Sequence, residues 1–311
     1  MPTQTFSSPE AYVAGIGNAN LRVSLVLRKS LAPWMFSSLD LPDLRLQWGQ
    51  GGGCTLTEGS VVREGGVILV PTHNAQTMHM NGHQFDAQTF RLQLKGDELS
   101  LASTEPHRWF SMFIPGALLA EWSGTGTTAK ALSSRFFRIP QDRAEIFRRA
   151  VTQLGLIVQQ APDALESSAA VKTTARKLTD LVREAIWGLP RAAPSPGRQS
   201  IPRSQIVRVV MDSIDGWGGN YVTVPDLASA AGVSERTLRV AFHDYFGVGP
   251  VQFLRLRTLN LVRDALRKSD PALTTVTEVA TRFGVWELGR LARDYRLLFG
   301  ELPSQTLRRA Q

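Results

Sequence analysis

Cysteine is almost absent from this 311-residue chain, with Cys54 the only one. A single thiol excludes an internal disulfide framework and fits a reducing cytosol. Its position after Gly51-Gly52-Gly53 suggests a small strand residue rather than a reactive nucleophile. No run of about 18 apolar residues occurs, so no membrane span is expected. Met1-Pro2-Thr3-Gln4-Thr5 has neither the positive n-region nor the apolar h-region of a secretory signal. Gly49-Gln50-Gly51-Gly52-Gly53-Cys54 lacks the Lys-Ser/Thr and the helix start of a phosphate loop and reads as a loop between strands. A Gly-x-Ser-x-Gly elbow and a Cys–His pairing are also missing. The expectation is a cytoplasmic protein that is not an enzyme, with no catalytic residues, no cofactor and no metal.

What the chain has is a repeat near its C-terminal end. Asp226-Leu227-Ala228, Gly232, Leu238, Phe242, Phe246-Gly247, Pro250, Gln252 and Leu254-Arg255 recur as Glu278-Val279-Ala280, Gly284, Leu291, Tyr295, Phe299-Gly300, Pro303, Gln305 and Leu307-Arg308. From Leu238 onward the offset is 53; before it the offset is 52, because the second turn is one residue longer. So many coincidences indicate a true duplication. Each copy has the pattern of a helix-turn-helix. A small residue, Ala228 or Ala280, permits a close helix crossing. A turn glycine, Gly232 or Gly284, then supplies the positive φ of a tight turn. Ser234 suits the N-cap of the next helix. That helix carries an apolar stripe: Leu238, Phe242, Tyr245 and Phe246, or Leu291, Tyr295, Leu298 and Phe299. Phe-Gly-x-x-Pro ends both copies, Gly at a left-handed cap and Pro in the next first turn.

At about 100° per residue, the faces opposite these stripes are the ones a major groove would meet. In the first copy Arg236, Val240 and His243 oppose Leu238, with Thr237 and Arg239 on the flanks. In the second, Gly289, Arg293 and Arg296 oppose Leu291, with Arg290 on the flank. Arg makes bidentate contacts to guanine, and Val fits against a thymine methyl. The bland alternative is an ordinary solvated helix face, which the duplicated turn makes the weaker reading. Charge agrees with the functional one. Residues 191–311 hold 17 Lys/Arg against 11 Asp/Glu, and 16 of those 17 cations are Arg; residues 1–190 hold 18 against 16. Between the copies, Pro250 to Lys268 reads as one amphipathic helix of roughly 27 Å, stiff enough to hold two recognition helices about one turn of B-DNA apart.

This arrangement resembles the AraC/XylS family of bacterial transcription regulators. The resemblance rests on Val233-Ser234-Glu235-Arg236-Thr237-Leu238-Arg239, on Phe246-Gly247-Val248-Gly249-Pro250, and on Phe299-Gly300-Glu301-Leu302-Pro303-Ser304, and it covers about residues 205–309. Arg282-Phe283-Gly284-Val285-Trp286-Glu287-Leu288-Gly289-Arg290 is similar to the subgroup of ethanolamine-utilisation activators, with Glu287 where that subgroup has His. An acid there weakens phosphate contact locally. Carried over residue by residue, the family's base-contact positions fall on Arg236, Arg239 and Val240, then Leu288, Gly289, Arg290 and Arg293. Leu288 is equally a packing residue.

Upstream the period changes from 3.6 to 2. Leu44–Trp48, Phe90–Leu94 and Glu98–Leu101 alternate, while Val61-Val62, Val67–Val70 and Trp109–Ile114 are short apolar runs. Many short strands suggest a small antiparallel barrel or sandwich, and the resemblance implies a cupin-like sensing barrel. The expected fold class is therefore α+β: an N-terminal cupin-like β-barrel with a helical hairpin, then a C-terminal all-α domain with two helix-turn-helix motifs. The expected domains are 1–138 (β-rich, effector-sensing), 139–187 (hairpin), 188–200 (a Pro-rich linker) and 201–311 (DNA-binding, with units at 224–246 and 275–299). The hairpin either covers the barrel or pairs with a second subunit, and the resemblance implies a homodimer.

A cupin-like barrel raises a second class, a metal-dependent enzyme or ligand-binding protein. His73, His79, His83 and His107 lie in this half, but His-x-His followed by Glu is missing. Asn81-Gly82 predicts a hairpin turn that separates His79 from His83. Polar residues at strand ends is the preferred reading. Trp34, Trp48, Trp109, Phe110 and Phe113 are core residues or line a ligand pocket. The reading is a sequence-specific regulator, an activator in preference to a repressor. Its expected partners are an operator DNA duplex, a second copy, an unidentified small-molecule effector and RNA polymerase, with no membrane; bound to DNA, it would lie in the nucleoid.

Overall fold

The computed structural model describes residues 3–6, 8–17, 19–27, 32–41, 44–122, 135–160, 168–187, 203–216 and 222–309. The proposed linker at 188–200 lies outside the described residues.

Alternating sequence in the first part becomes strands. In chain order these are β1 (Gln4–Phe6), a short helix α1 (Pro9–Ala14), β2 (Ala19–Leu27), β3 (Trp34–Asp40), β4 (Arg45–Gly51) and β5 (Cys54–Val61). β6 (Gly65–His73), β7 (Met78–Met80), β8 (His83–Gln84), β9 (Thr89–Leu94), β10 (Glu98–Ser103) and β11 (His107–Pro115) follow. A short helix α2 (Gly116–Trp122) and β12 (Arg135–Arg138) complete this part. The strands form two antiparallel sheets. One has seven strands in the order β1-β3-β4-β11-β6-β9-β12, the other five in the order β2-β5-β10-β7-β8. Among the described residues no strand of one sheet pairs with the other, so the expected cupin-like barrel is not closed. Alternation fixes which side of a strand is buried but not whether a sheet joins its own far edge, so the sequence could not separate the two forms.

Burial explains the apolar runs. β6 is covered on both faces: Leu69 belongs to the core around Trp34, Phe36, Met80, Leu101 and Trp109 between the sheets. Its neighbours Ile68 and Val70 face the other way, with Leu46, Leu92, Phe110 and Met112. Over that second face lie α3 (Gln141–Gln160) and α4 (Ser168–Trp187), which bury Phe147, Val151, Leu154, Leu178 and Val182. Trp48 Nε1 donates to the Val151 carbonyl at 2.8 Å and ties β4 to α3. Of the five aromatics considered for a pocket, Trp34 and Trp109 face the inter-sheet space, while Trp48 and Phe110 lie under α3. Phe113 packs with Val61 and Val67.

Gly49 and Gly51 belong to β4 rather than to a loop. A Cβ on Gly49 would stand 2.2 Å from the Trp109 ring, so the side chain is missing where an indole lies flat on the strand. Cys54 opens β5, buried, its thiol 2.6 Å from the Thr104 carbonyl.

The last third is helical: α5 (Arg203–Gly216), α6 (Val224–Ala230), α7 (Glu235–Phe246), α8 (Pro250–Lys268), α9 (Val276–Arg282), α10 (Leu288–Phe299) and α11 (Pro303–Arg308). Phe253 of α8 packs with Leu227, Leu238, Phe242 and Phe246. Val262 and Leu266, further along α8, pack with Val279, Ala280, Leu291, Tyr295 and Leu298. One helix thus shares its two ends between two small cores. Leu56 and Ala102, on the outer face of the five-stranded sheet, join the first of these cores. The layers therefore run helices, sheet, sheet, helices. Ion pairs cross the last boundary: Glu10 meets Arg263 at 2.9 Å and Arg267 at 3.3 Å, and Arg22 meets Asp264 at 3.8 Å.

Candidate nucleic-acid interface

The two units are built alike down to single hydrogen bonds. Thr223 caps α6, its hydroxyl accepting from the Asp226 N–H at 3.4 Å while Asp226 accepts from the Thr223 N–H at 2.9 Å. Thr275 and Glu278 repeat this reciprocal box on α9, at 3.2 and 2.8 Å. The Thr223 hydroxyl, then its N–H, holds the Asp226 carboxyl below the usual range; for Glu278 the Thr275 N–H leads and the hydroxyl follows. Thr223-x-x-Asp226 and Thr275-x-x-Glu278 are capping signals carried by the sequence itself, a further element of the repeat.

Each first helix ends in a turn whose glycine has positive φ, +63° at Gly232 and +73° at Gly284. The residue after it closes the turn back onto the small residue: Val233 N–H to Ala228 carbonyl and Val285 N–H to Ala280 carbonyl, both at 3.0 Å. Nothing stands within 4 Å of a Cβ added at Gly232, so glycine is present there for backbone conformation, not for space. The C-caps match as well, with Gly247 at +71° and Gly300 at +75°.

The copies differ at the start of the second helix. Ser234 Oγ accepts from the Thr237 N–H at 3.2 Å and also bonds the Thr237 hydroxyl, so Thr237 serves the cap of α7. In α10 the N-cap is Glu287, which makes no side-chain cap bond. The extra residue of the second turn brings Trp286 and Glu287, both exposed, to the place where the first copy has its serine.

Leu238, Phe242, Tyr245 and Phe246 of α7 are buried, as are Leu291, Tyr295 and Leu298 of α10. Arg236, Thr237, Arg239, Val240 and His243 are all exposed, and so are Leu288, Gly289, Arg290 and Arg293. The structure thus leaves every sequence-derived candidate in solvent on the side of its helix away from the core. Arg296, in the register of His243, is exposed with them. Among the described residues Arg236, Arg239 and Arg293 have no ion-pair partner. Arg290 is different: it lies 3.4 Å from Glu287 and 3.9 Å from Asp294, and Asp294 also pairs with Arg255.

The histidines do not converge. β7 and β8 form the expected hairpin, with Asn81 at +49° and Gly82 at +81°. Its register pairs His79 with Gln84 and Met80 with His83, so His79 and His83 point to opposite faces. His107 is buried, and desolvation lowers its imidazole pKa to about 4. Among the described residues no three His, Cys, Asp or Glu side chains are grouped to hold a metal ion.

A family model described as a helix-turn-helix domain matches residues 227–309. A probable thc operon regulatory protein of Rhodococcus erythropolis is 37% identical over 103 residues, 33% of this chain and 31% of that protein. Over these residues the chain carries a helix-turn-helix domain similar to that of such operon regulators. The XylDLEGF operon transcriptional activator of Pseudomonas putida is 25% identical over 250 residues, covering 78% of this chain and 74% of the relative. Among solved structures, that of the AraC-like transcriptional activator CuxR aligns over 83% of this chain and 93% of its own, with a TM-score of 0.43 and 13% identity. The chain spans less than two thirds of the first curated relatives it matches, 31% of the Rhodococcus protein and 55% of a second Pseudomonas activator. These relatives are regulators of transcription, and the domain they share with this chain is a DNA-binding one. No helix among the described residues is long and apolar enough to cross a membrane.

Proposed function

We propose that this protein is a sequence-specific, effector-responsive transcription regulator, an activator by its relatives' names, working in the cytoplasm and on the nucleoid. The observation that carries this reading is the twin construction: two exposed recognition faces, on α7 and α10, whose supporting cores share the single helix α8. At 19 residues α8 is about 28 Å long, a length suited to setting two recognition helices in successive major grooves, roughly 34 Å apart. Arg236, Arg239 and Val240 read bases in one groove. Arg293 with Gly289, Leu288 and Arg290 meets the other more weakly, because Arg290 is engaged by acids.

Residues 1–138 form the sensing part, 139–187 the hairpin and 201–311 the DNA-binding part, joined across 188–200. Effector binding shifts the population of arrangements in which both recognition faces reach DNA. The hairpin buries one side on the seven-stranded sheet and exposes Ile146, Leu156 and Ile157 of α3. An apolar edge of this kind suits pairing with a second copy, and a DNA-bound dimer could recruit RNA polymerase.

Selection of binding sites from random duplex DNA by the full chain, followed by footprinting, tests the reading. Two protected major-groove segments about 10 base pairs apart on one face of the duplex are expected. A single protected groove would overturn the two-site arrangement, and recovery of no preferred sequence would overturn the regulator itself.

A further inference from the structure

The extra residue of the second turn is taken up by a sharp local fold. Glu287 has φ −86° and ψ 75°, and the Leu288 N–H donates to the Trp286 carbonyl at 3.1 Å, which makes an inverse γ-turn. The Glu287 carbonyl then accepts from the Leu291 N–H at 2.9 Å and starts α10. Trp286 is thereby fixed just ahead of the recognition helix, between the Val285–Ala280 bond and the γ-turn. Its side chain nevertheless stands in solvent: Trp286 is 77% exposed, and Leu288 is 37% exposed. Among the described residues no ring or guanidinium packs on the indole. Tryptophan carries one of the largest apolar surfaces of any side chain, and a backbone that holds it out in water presents a contact edge.

The surroundings of this edge say what it meets. Arg282 at the end of α9 and Arg293 and Arg296 on α10 are exposed, and among the described residues none of the three has an ion-pair partner. Apolar side chains set among cations suit a polyanion that carries apolar groups, not a membrane core or a hydrophobic protein face. A DNA major groove is such a surface, with phosphates along its walls and thymine methyls on its floor. The N-terminal end of a recognition helix is the part that reaches base edges. At that end of α10 hydrogen-bond donors are scarce: Leu288 and Gly289 have none on their side chains, and Arg290 is engaged by Glu287 and Asp294. The first unit differs, with Ser234, Glu235, Arg236 and Thr237 at the start of α7.

We propose that the second unit reads thymine by apolar contact, with Trp286 and Leu288 closing on thymine 5-methyl groups in the second major groove. An added Cβ at Gly289 would meet nothing within 4 Å, so packing inside the protein does not require a glycine there. Its bare backbone instead lets the base edges approach α10 closely. The two units then read differently, the first by hydrogen bonds from Arg236 and Arg239 and the second by burying methyl groups. This inference rests on the regulator reading and deepens it by giving the second half-site a base preference and Trp286 a role in specificity.

The test uses the full chain and its selected duplex. Thymines of the second half-site are replaced one at a time by deoxyuridine, which removes the methyl group and keeps the base pairing, and affinity is read by fluorescence anisotropy. At least one uracil duplex should bind roughly fourfold more weakly, the worth of one buried methyl group. Trp286→Ala should weaken the thymine duplex by about tenfold and make at least one such position indifferent to uracil, while Trp286→Phe keeps part of the difference. The deoxyuridine series uses the parent chain, so the test stands whether or not the alanine variant folds. Equal affinity for thymine and uracil at every position of the second half-site would overturn the proposal, as would a uracil effect that Trp286→Ala leaves intact. Undiminished DNA affinity in folded Trp286→Ala would assign the indole to a protein partner and overturn it equally. The two ideas fail separately. Selection that returns no preferred sequence removes the regulator, whereas a selected two-groove site indifferent to the methyl groups sinks this inference alone.

Discussion

Glu287→Gln isolates the second recognition helix. Glu287 is the N-cap of α10 and makes no cap hydrogen bond, so replacing it removes charge and little else. In the free protein it holds Arg290 at 3.4 Å, an exposed pair with side chains 72% and 65% accessible. Such a pair is worth only about 0.2–1 kcal/mol, which is what Arg290 must give up to turn toward a phosphate. A carboxylate at about 8 Å from a phosphate adds roughly 0.5 kcal/mol of repulsion in water. Removing both should tighten operator binding by about 1 kcal/mol, or roughly fivefold. One newly available Arg–phosphate contact should also steepen the plot of log K against log salt by about 0.9. Folding stability should move the opposite way, because an acid at a helix N-terminus contributes about 0.3–1 kcal/mol. Fluorescence anisotropy on a selected duplex across a salt series, with urea melts alongside, reads both quantities. Unchanged affinity and unchanged slope would mean that α10 does not approach the backbone, and the two-groove arrangement would fail.

Arg236→Ala and Arg239→Ala should each cost about 1–3 kcal/mol on the selected site and relax preference at one half-site; equal weakening on all sequences would reassign them to phosphates. Gly232→Val should destabilise by about 1–3 kcal/mol through backbone strain alone, and Gly232→Asn by much less, because an added Cβ meets nothing there. An unchanged melting temperature in the valine variant would contradict the turn geometry. His107 has its folded-state pKa lowered from 6.5 to about 4, so the unfolded chain binds the proton first. Its contribution is complete above pH 6.5 and is lost as pH falls toward 4, about 3 kcal/mol in all. Urea titrations at several pH values should show His107→Gln losing less stability over that window than the parent, and parallel curves would refute the buried neutral imidazole.

The DNA-binding third was legible because its constraints are local. A turn that needs positive φ admits little but glycine, a cap needs a short oxygen-bearing side chain, and an apolar stripe at helical spacing declares its inner face. Hence Gly232, Gly284, Ser234, Ala228 and the exposed arginines lie where the sequence indicates. The limits of α8, Pro250 and Lys268, were legible for the same reason. Arg91 was not legible. In the alternating run Phe90–Leu94 it reads as a solvent-facing residue, and only the second sheet and the docked helices bury it. The ion pairs of Glu10 with Arg263 and Arg267 were equally hidden, since about 250 residues separate the partners and no local rule links them.

The sequence alone determined the duplicated helical units, their turns and caps, the outward arginine faces and the strand-rich character of the first part. Each of these depends on interactions within about ten residues, where backbone geometry and side-chain period leave few choices. Tertiary structure decided that the strands make two open sheets instead of a closed barrel, that α3 and α4 cover one of them, and that the recognition helices lean on the other. Those outcomes depend on which buried surfaces meet across long stretches of chain, and alternation encodes that a face is buried without encoding its partner.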